Sequence, residues 1–156
     1  MGALEAEGLA VREWRFDPER IELTPEDPEP LLCQRTRLVC FTHYSNLIGT
    51  VHDAAATIHR VHDAGVLACI DAAACAPHRR VDVKSLHADF HFLSIYKVFG
   101  PHLGMFCFLR SRRGVRVLGR TTAARSSGGP RLANLLMLVQ IAAEALTTHP
   151  RRSGPC

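Results

Sequence analysis

One lysine in this sequence lies where a reactive amine is expected. Lys97 belongs to the segment SIYKVFGP (residues 94–101), directly after an apolar run and just before a Gly-Pro turn. Partial removal from water disfavours the ammonium form, lowers the lysine pKa and leaves the free amine that a Schiff base requires. Ser94 could offer its hydroxyl to a phosphate. Taken alone, however, the segment fits a surface lysine in an ordinary turn better.

Two other polar residues also follow apolar runs. Asp71 closes the run Val66–Ile70, and its carboxylate could either pair with a protonated pyridine nitrogen or begin the next turn. Asn46, in THYSNLIGT (residues 42–50), could donate to a cofactor oxygen or a substrate carboxylate, or be a plain loop residue. The interval from Asp71 to Lys97 is long enough for a helix and a return strand. Both residues could therefore reach one edge of a sheet.

The surrounding sequence predicts the elements that would position these residues. Short apolar runs alternate with helix-length intervals, which is typical of an α/β sheet. The predicted strands are Leu9–Phe16, Arg37–Thr42, Val66–Ile70, Phe90–Leu93 and Met105–Leu109. Asp53–Asp63 has helical spacing and ends before Gly65. Ligands of such sheets bind at the carboxyl ends of strands, where all three segments lie.

The remainder of the chain has a different character. Residues 110–131 are rich in Arg, Gly and Ser and are interpreted as a basic linker, followed by an apolar helix and a frayed tail over residues 132–156. The basic segment could form a nucleic-acid-binding module, but no aromatic residues or recognition motif accompany its arginines. Nucleic-acid binding is therefore the weaker interpretation.

The sequence argues against a membrane protein, a secreted protein and a metal-binding protein. The sequence has no apolar run long enough for a membrane span and no signal-peptide pattern, so we expect a cytoplasmic protein. The nine histidines show no complete ligand spacing, so no metal site is predicted. Cys40, Cys69, Cys75 and Cys107 lie in or beside apolar runs, where we expect buried thiols.

Three ordered motifs carry a resemblance to a known family. They are RTRLVCFTHYSNLIGTVHD, AGVLACIDAAACAPHRRVDV and ADFHFLSIYKVFGPHLGMFCFLR. Together they resemble the core of class-V aminotransferases, which depend on pyridoxal 5′-phosphate (PLP), and most closely the cysteine-desulfurase-like group. The resemblance covers residues 9 to 110. It implies an α/β fold: part of a fold-type-I large domain, with a mainly parallel sheet, helices on both faces, and truncation at both ends.

The resemblance also implies roles for individual residues. Lys97 would form the Schiff base and act as acid and base at the substrate α-carbon. Asp71 would pair with the pyridine nitrogen, Ser94 would bind the phosphate, and Asn46 would lie beside the ring and the substrate carboxylate. Tyr96 stands where many members have a phosphate-contacting histidine. At Ala74 the family commonly has a Gln or His that contacts the ring.

Two hypotheses about function follow. The first is a PLP-dependent transferase or lyase acting on an amino acid, as a homodimer or with a full-length relative, with weak or no activity alone. The resembling family has further elements upstream and downstream that cannot be matched here, including the arginine for the substrate carboxylate. The second hypothesis is therefore a non-catalytic remnant that acts only by associating with a full-length relative. Cofactor capture at Lys97 separates the two.

Overall fold

The computed structural model describes residues 10–15, 18–101, 103–108 and 124–125. These residues form one five-stranded sheet whose strands follow chain order. The elements are β1 (Leu38–Thr42), α1 (Ala54–Asp63), β2 (Leu67–Asp71), α2 (Val83–Leu86), β3 (Phe90–Ser94), β4 (Leu103–Phe108) and β5 (Ala124–Arg125). Single turns of 3-10 helix cover Glu29–Leu31 and Ile95–Val98.

The sheet is parallel at its centre and antiparallel at one side. β1, β2 and β3 run in parallel, with Cys40 opposite Cys69 and Cys69 opposite Phe90. β4 returns antiparallel to β3, and β5 pairs antiparallel with β4. The turn between β3 and β4 is too short for a crossover helix, so the chain has to reverse direction there. The mainly parallel α/β sheet expected from the sequence is confirmed.

Helix α1 begins and ends where the sequence predicts. The Asp53 carboxylate accepts a hydrogen bond from the Ala56 N–H at 3.0 Å and so caps the first turn. Gly65 has φ of 80° directly after the helix, a conformation that glycine adopts without a steric penalty. Ile58 and Val61 are fully buried, so one face of α1 contributes to the core.

The core lies between α1 and one face of the parallel strands. Phe41, Ala68 and Ile70 of the strands form one cluster with Ile58 and Val61 of the helix. A buried polar contact adds to it. Asp89, which is 6% exposed, accepts a hydrogen bond from the Ala68 N–H at 2.8 Å, and its carboxylate lies 2.9 Å from His62 Nε2. Helix and sheet are thereby joined by a buried carboxylate as well as by apolar packing.

The strand predicted over Leu9–Phe16 is wrong for its described residues. Residues 10–15 form no strand. Trp14 instead packs against the core, with its ring centroid 5.8 Å from that of Phe41, and Arg12 donates to the Leu31 carbonyl at 3.1 Å. Alternating polar and apolar residues here reflect a segment that lies across the core rather than one that joins the sheet.

The cysteines follow the expectation only in part. Cys69 and Cys75 are buried free thiols, as predicted, whereas Cys40 is an exposed free thiol whose side chain hydrogen-bonds with that of Cys69. Cys33 is disulfide-bonded. Within the described residues, β1 is the outermost strand of the sheet, so fewer neighbours cover Cys40.

Part of the predicted organisation lies outside the described residues. That holds for the helix and tail over residues 132–156 and for the segment 110–131, except that Ala124–Arg125 forms β5. Among the residues that the structure describes, no helix is long and apolar enough to cross a membrane.

Candidate functional site

The carboxyl ends of the three parallel strands meet at one edge of the sheet. Thr42, Asp71 and Phe92 are register neighbours across β1, β2 and β3. The ladder continues one step beyond the strands, because the His43 N–H donates to the Asp71 carbonyl at 2.9 Å and the Ala72 N–H donates to the Phe92 carbonyl at 2.9 Å. The turns that carry the predicted site residues therefore begin side by side.

The turn after β3 holds Lys97 in a fixed place. Ile95–Val98 forms a 3-10 turn, Phe99 follows with φ of 64°, and the Gly100 N–H donates to the Ile95 carbonyl at 3.0 Å. A Cβ on Gly100 would lie 2.3 Å from Ile95 Cγ2 and 3.0 Å from the Ile95 oxygen, so this close approach requires glycine. Lys97 is half-buried in this turn.

Lys97 contacts the loop after β1 directly. Its Nζ donates a hydrogen bond to Asn46 Oδ1 at 3.0 Å. The loop is closed by the Ser45 N–H, which donates to the Thr50 carbonyl at 2.9 Å, and by Gly49, whose φ is 78°. Two of the residues singled out from the sequence, 51 positions apart, are thus brought into contact.

Asp71 lies at the end of β2 within electrostatic reach of Lys97. Burial raises the pKa of the Asp71 carboxyl, while a hydrogen bond from the Ala73 N–H and the positive charge of Lys97 lower it. The Ala73 N–H lies 2.9 Å from Asp71 Oδ1 and fixes the orientation of the carboxyl. Because burial is the largest of these influences, the carboxyl would be stabilised by a cationic hydrogen-bond donor placed against it.

The other predicted residues lie around the same turn. Ser94 ends β3, is 2% exposed, and makes no side-chain capping bond to the 3-10 turn that it precedes. Tyr96 is half-buried and directly precedes Lys97. Ala74, in the turn after β2, is 8% exposed. Only a methyl group is present at the place where the resembling family commonly has a Gln or His.

One buried and one half-buried histidine near this edge were missed by the sequence analysis. His91 of β3 is fully buried, and neither ring nitrogen has a hydrogen-bond partner in the described part of the chain. Burial, and then the nearby His43, lower the pKa of His91 from 6.5 to about 4. The pKa of His43 is also lowered, by burial, then by Arg79 and His52. The sequence offered one signal, the position of His91 inside the apolar run FHFL.

A stacked pair joins the loops after β1 and β2. The rings of Tyr44 and His78 lie 5.2 Å apart at an interplanar angle of 28°. This contact fixes the base of the loop that carries Asn46, since Tyr44 also forms a β-bridge with Val51. It was not anticipated from the sequence, because spacing alone does not show which loops stack.

Two further histidines pair with carboxylates outside this site. His59 pairs with Asp63 on the exposed side of α1 at 2.9 Å, and His62 pairs with the buried Asp89. Within the residues that the structure describes, no group of three or more His, Cys, Asp or Glu side chains could hold a metal ion.

Comparisons with known proteins place the chain in a family. The model of the aminotransferase class-V family matches residues 2–108. A cysteine desulfurase-like protein of Aspergillus flavus is 42% identical over 107 residues, covering 62% of this chain and 24% of that protein. The chain thus spans about a quarter of the length of that relative.

Solved structures agree in fold. The apo structure of a cysteine desulfurase from Thermococcus onnurineus NA1 has a TM-score of 0.57 and 25% identity, covering 90% of this chain and 39% of that one. A NifS-like protein has a TM-score of 0.64 at 20% identity, covering 94% of this chain and 41% of that one, and indicates the fold alone. Because the family model matches more than half of the sequence, this chain belongs to the aminotransferase class-V family.

Proposed function

We propose that this chain is the PLP-binding part of a class-V enzyme that acts on an amino acid, with Lys97 as the residue that binds the cofactor covalently. The observation that carries the proposal is the contact of Lys97 Nζ with Asn46 Oδ1 at 3.0 Å. An amine and an amide from different loops converge there, with the half-buried Asp71 carboxyl nearby. For a surface lysine in an ordinary turn, neither the contact with the Asn46 amide nor the nearby Asp71 carboxyl is expected.

The residues present fit the chemical groups of PLP in most respects. Asp71 is a half-buried carboxyl whose pKa is raised by partial removal from water, so a cationic ring nitrogen would be a stabilising partner. Ser94 supplies a hydroxyl at the start of the Lys97 turn, which could donate a hydrogen bond to a phosphate oxygen. Tyr96 supplies a second hydroxyl in that turn. Ala74 supports the fit least, because its methyl group can make no polar contact.

Each residue would contribute a separate step. PLP, when bound, supplies an electron sink for the substrate α-carbon. Lys97 would provide the amine that attaches the cofactor and would afterwards carry a proton to or from the α-carbon. Asp71 would keep the ring nitrogen protonated, and Asn46 would hold the Lys97 amine in place before reaction and orient a carboxylate afterwards.

Substrate and assembly belong to the same proposal. Relatives are named cysteine desulfurases, so we propose a small amino acid, of the cysteine type, as the substrate class. The chain covers 24% of its Aspergillus flavus relative, and activity alone is expected to be weak or absent. A homodimer, or a complex with a full-length relative, would then supply the remaining groups.

A second candidate is a non-catalytic remnant that works through association with a full-length relative. Ala74 favours it, because a buried methyl group stands where the family commonly contacts the ring. The two candidates differ in cofactor capture. The remnant does not require PLP to react with Lys97, whereas the enzyme part does.

The experiment that tests the proposal is a spectroscopic titration with PLP. The sequence has two lysines, Lys84 and Lys97, so the matched control is simple. Lys84 is exposed on α2, away from the site. We expect a visible absorption band in the unmodified chain and in Lys84→Ala, and loss of the band in Lys97→Ala. An equal band in Lys97→Ala would contradict the proposal and favour the remnant.

A further inference from the structure

Two free thiols lie side by side on neighbouring strands. Cys40 of β1 and Cys69 of β2 are register partners in the parallel ladder, and neither forms a disulfide. Side chains at matched positions of two paired strands extend from the same face of the sheet. The two side chains meet on that face, because they are hydrogen-bonded to each other. The sheet therefore holds two thiols in contact at one fixed place.

The two thiols differ in exposure. Among the described residues, Cys40 is exposed, whereas Cys69 is 2% exposed and lies on a strand with a neighbour on each side. A small dissolved reagent can therefore reach Cys40 directly, while Cys69 is shielded from it.

The contact between the thiols also makes their acidities different. The hydrogen bond with Cys69 lowers the pKa of the Cys40 thiol more than removal from water raises it. The same contact raises the pKa of the Cys69 thiol, and burial raises it further. Because the thiolate is the nucleophile, Cys40 is the more reactive of the two. An accessible cysteine of lowered pKa beside a second thiol is typical of sites that react with peroxides.

Strand spacing permits a disulfide here but makes it easy to reduce. Neighbouring strands lie about 4.8 Å apart, within the range of Cα separations that disulfides span. Side chains in register extend in parallel, so their Cβ atoms are also about 5 Å apart, compared with about 3.8 Å in an unstrained bridge. Closing the bridge requires β1 and β2 to bend towards each other, and such strain favours reduction.

We propose that Cys40 and Cys69 form a reversible redox pair that takes a hydroperoxide as its oxidant. The Cys40 thiolate attacks a peroxide oxygen and the O–O bond breaks, which leaves a sulfenic acid on Cys40. The departing oxygen takes up the proton that Cys40 lost and leaves as an alcohol or, from hydrogen peroxide, as water.

Cys69 completes the reaction. Its sulfur attacks the Cys40 sulfur, the S–O bond breaks, and hydroxide leaves with the Cys69 proton as water. Two thiols are thereby oxidised to one disulfide, and one peroxide is reduced by two electrons. No step requires PLP, so the proposal is independent of the Lys97 site.

Peptide mapping after oxidation tests the pairing. The reduced 156-residue chain is treated with hydrogen peroxide, blocked with iodoacetamide, and digested with trypsin and an Asp-specific protease. The peptides 38–52, 63–70 and 71–79 then contain Cys40, Cys69 and Cys75, respectively, as their one cysteine. We expect 38–52 joined to 63–70 in chains that run as monomers on a denaturing gel, and both thiols restored by reduced glutathione. A Cys40 that stays unoxidised, or that is joined to another cysteine instead, would overturn the proposal.

A substitution at Cys69 separates the roles of the two thiols. In Cys69→Ala, Cys40 has no second thiol opposite it, so we expect peroxide to leave a sulfenic acid that dimedone traps. We also expect iodoacetamide to alkylate Cys40 about threefold more slowly than in the parent chain at pH 7, because the hydrogen bond that lowers its pKa is lost. An alkylation rate equal to that of the parent chain, or the absence of a dimedone adduct, would contradict the assigned roles.

Cys75→Ala is the matched control. Cys75 is also a buried free thiol, 1% exposed, but it lies in the turn after β2 rather than opposite Cys40. We expect Cys75→Ala to form the bridge between Cys40 and Cys69 at the parent rate. Loss of the bridge in Cys75→Ala, together with a Cys40 disulfide that persists in Cys69→Ala, would assign the second thiol to Cys75 and overturn the proposal.

Discussion

Lys97 and Asn46 are joined by a hydrogen bond of 3.0 Å from Nζ to Oδ1, although they belong to different connections of the sheet. β1 positions Asn46 and β3 positions Lys97, with β2 and Asp71 between them. The parallel order of the three strands is what brings the amine, the amide and the carboxyl together.

The Asn46 amide should contribute to cofactor binding if it lies beside the bound ring, as the family resemblance implies. We expect Asn46→Ala to weaken PLP binding about fivefold, since one hydrogen bond from the amide to the cofactor contributes about 1 kcal/mol. Absorbance titration measures the dissociation constant. Asn46→Asp keeps an acceptor oxygen, and Leu47→Ala changes the neighbouring exposed residue. An Asn46→Ala variant that binds PLP as well as Leu47→Ala does would argue against a role for the amide.

Acid should destabilise the chain through His91. Its folded-state pKa of about 4 lies below the ordinary value of 6.5, so the unfolded chain binds more protons between these values. The stabilisation is fully present above pH 6.5 and is lost as the pH falls towards 4. The loss is at most about 3 kcal/mol. Urea unfolding at pH 7, 5.5 and 4.5 measures it.

His91→Leu should flatten this pH dependence. Neither ring nitrogen of His91 has a partner in the described residues, so the apolar replacement should leave stability at pH 7 unchanged or raised. His59→Gln is the control, because His59 is 78% exposed and should keep the parent slope. A parent slope that survives in His91→Leu would assign the acid sensitivity to other groups, His43 and His52 first.

Two His–Asp pairs of equal length should differ strongly in their contribution to stability. His62–Asp89 and His59–Asp63 both measure 2.9 Å, but the Asp89 side chain is 7% exposed and that of Asp63 is 68% exposed. We expect Asp89→Ala to lower the free energy of unfolding by about 3 kcal/mol, because Ala68 N–H and His62 lose a buried partner. Asp63→Ala should change it by less than about 0.5 kcal/mol.

Urea denaturation at pH 7 compares the two variants directly. Both substitutions delete the same atoms, so the difference between them isolates burial. Equal effects on the midpoint of unfolding would contradict the assignment of Asp89 as the polar link between α1 and the sheet.

The sequence predicted the central sheet because its signals there are local. Apolar runs placed β1 to β4 within a few residues, and the Asp53 cap and Gly65 placed the ends of α1. The convergence of Asn46 and Lys97 was also foreseeable, since parallel strands end at one edge. Their direct hydrogen bond was not, because it depends on how two separate turns fold.

Other features depended on tertiary contacts that spacing does not reveal. The alternation in residues 10–15 resembles a strand, but Trp14 packs on Phe41 and the segment stays outside the sheet. The position of His91 between phenylalanines indicates burial, but it does not reveal that neither ring nitrogen has a partner among the described residues. The exposure of Cys40 follows from the outermost position of β1 among the described strands, which local sequence does not determine.

The most direct test of the Lys97 assignment is to fix the cofactor chemically and locate it. The chain is mixed with PLP, reduced with borohydride and digested, and the modified peptide is identified by mass spectrometry. Because Lys84 is the one other lysine, the label can lie only on Lys97, on Lys84 or on the terminal amine. We predict a label confined to Lys97 and absent from Lys97→Ala. A label on Lys84, or one divided between the two lysines, would contradict the proposal that the Asn46–Lys97–Asp71 arrangement binds PLP.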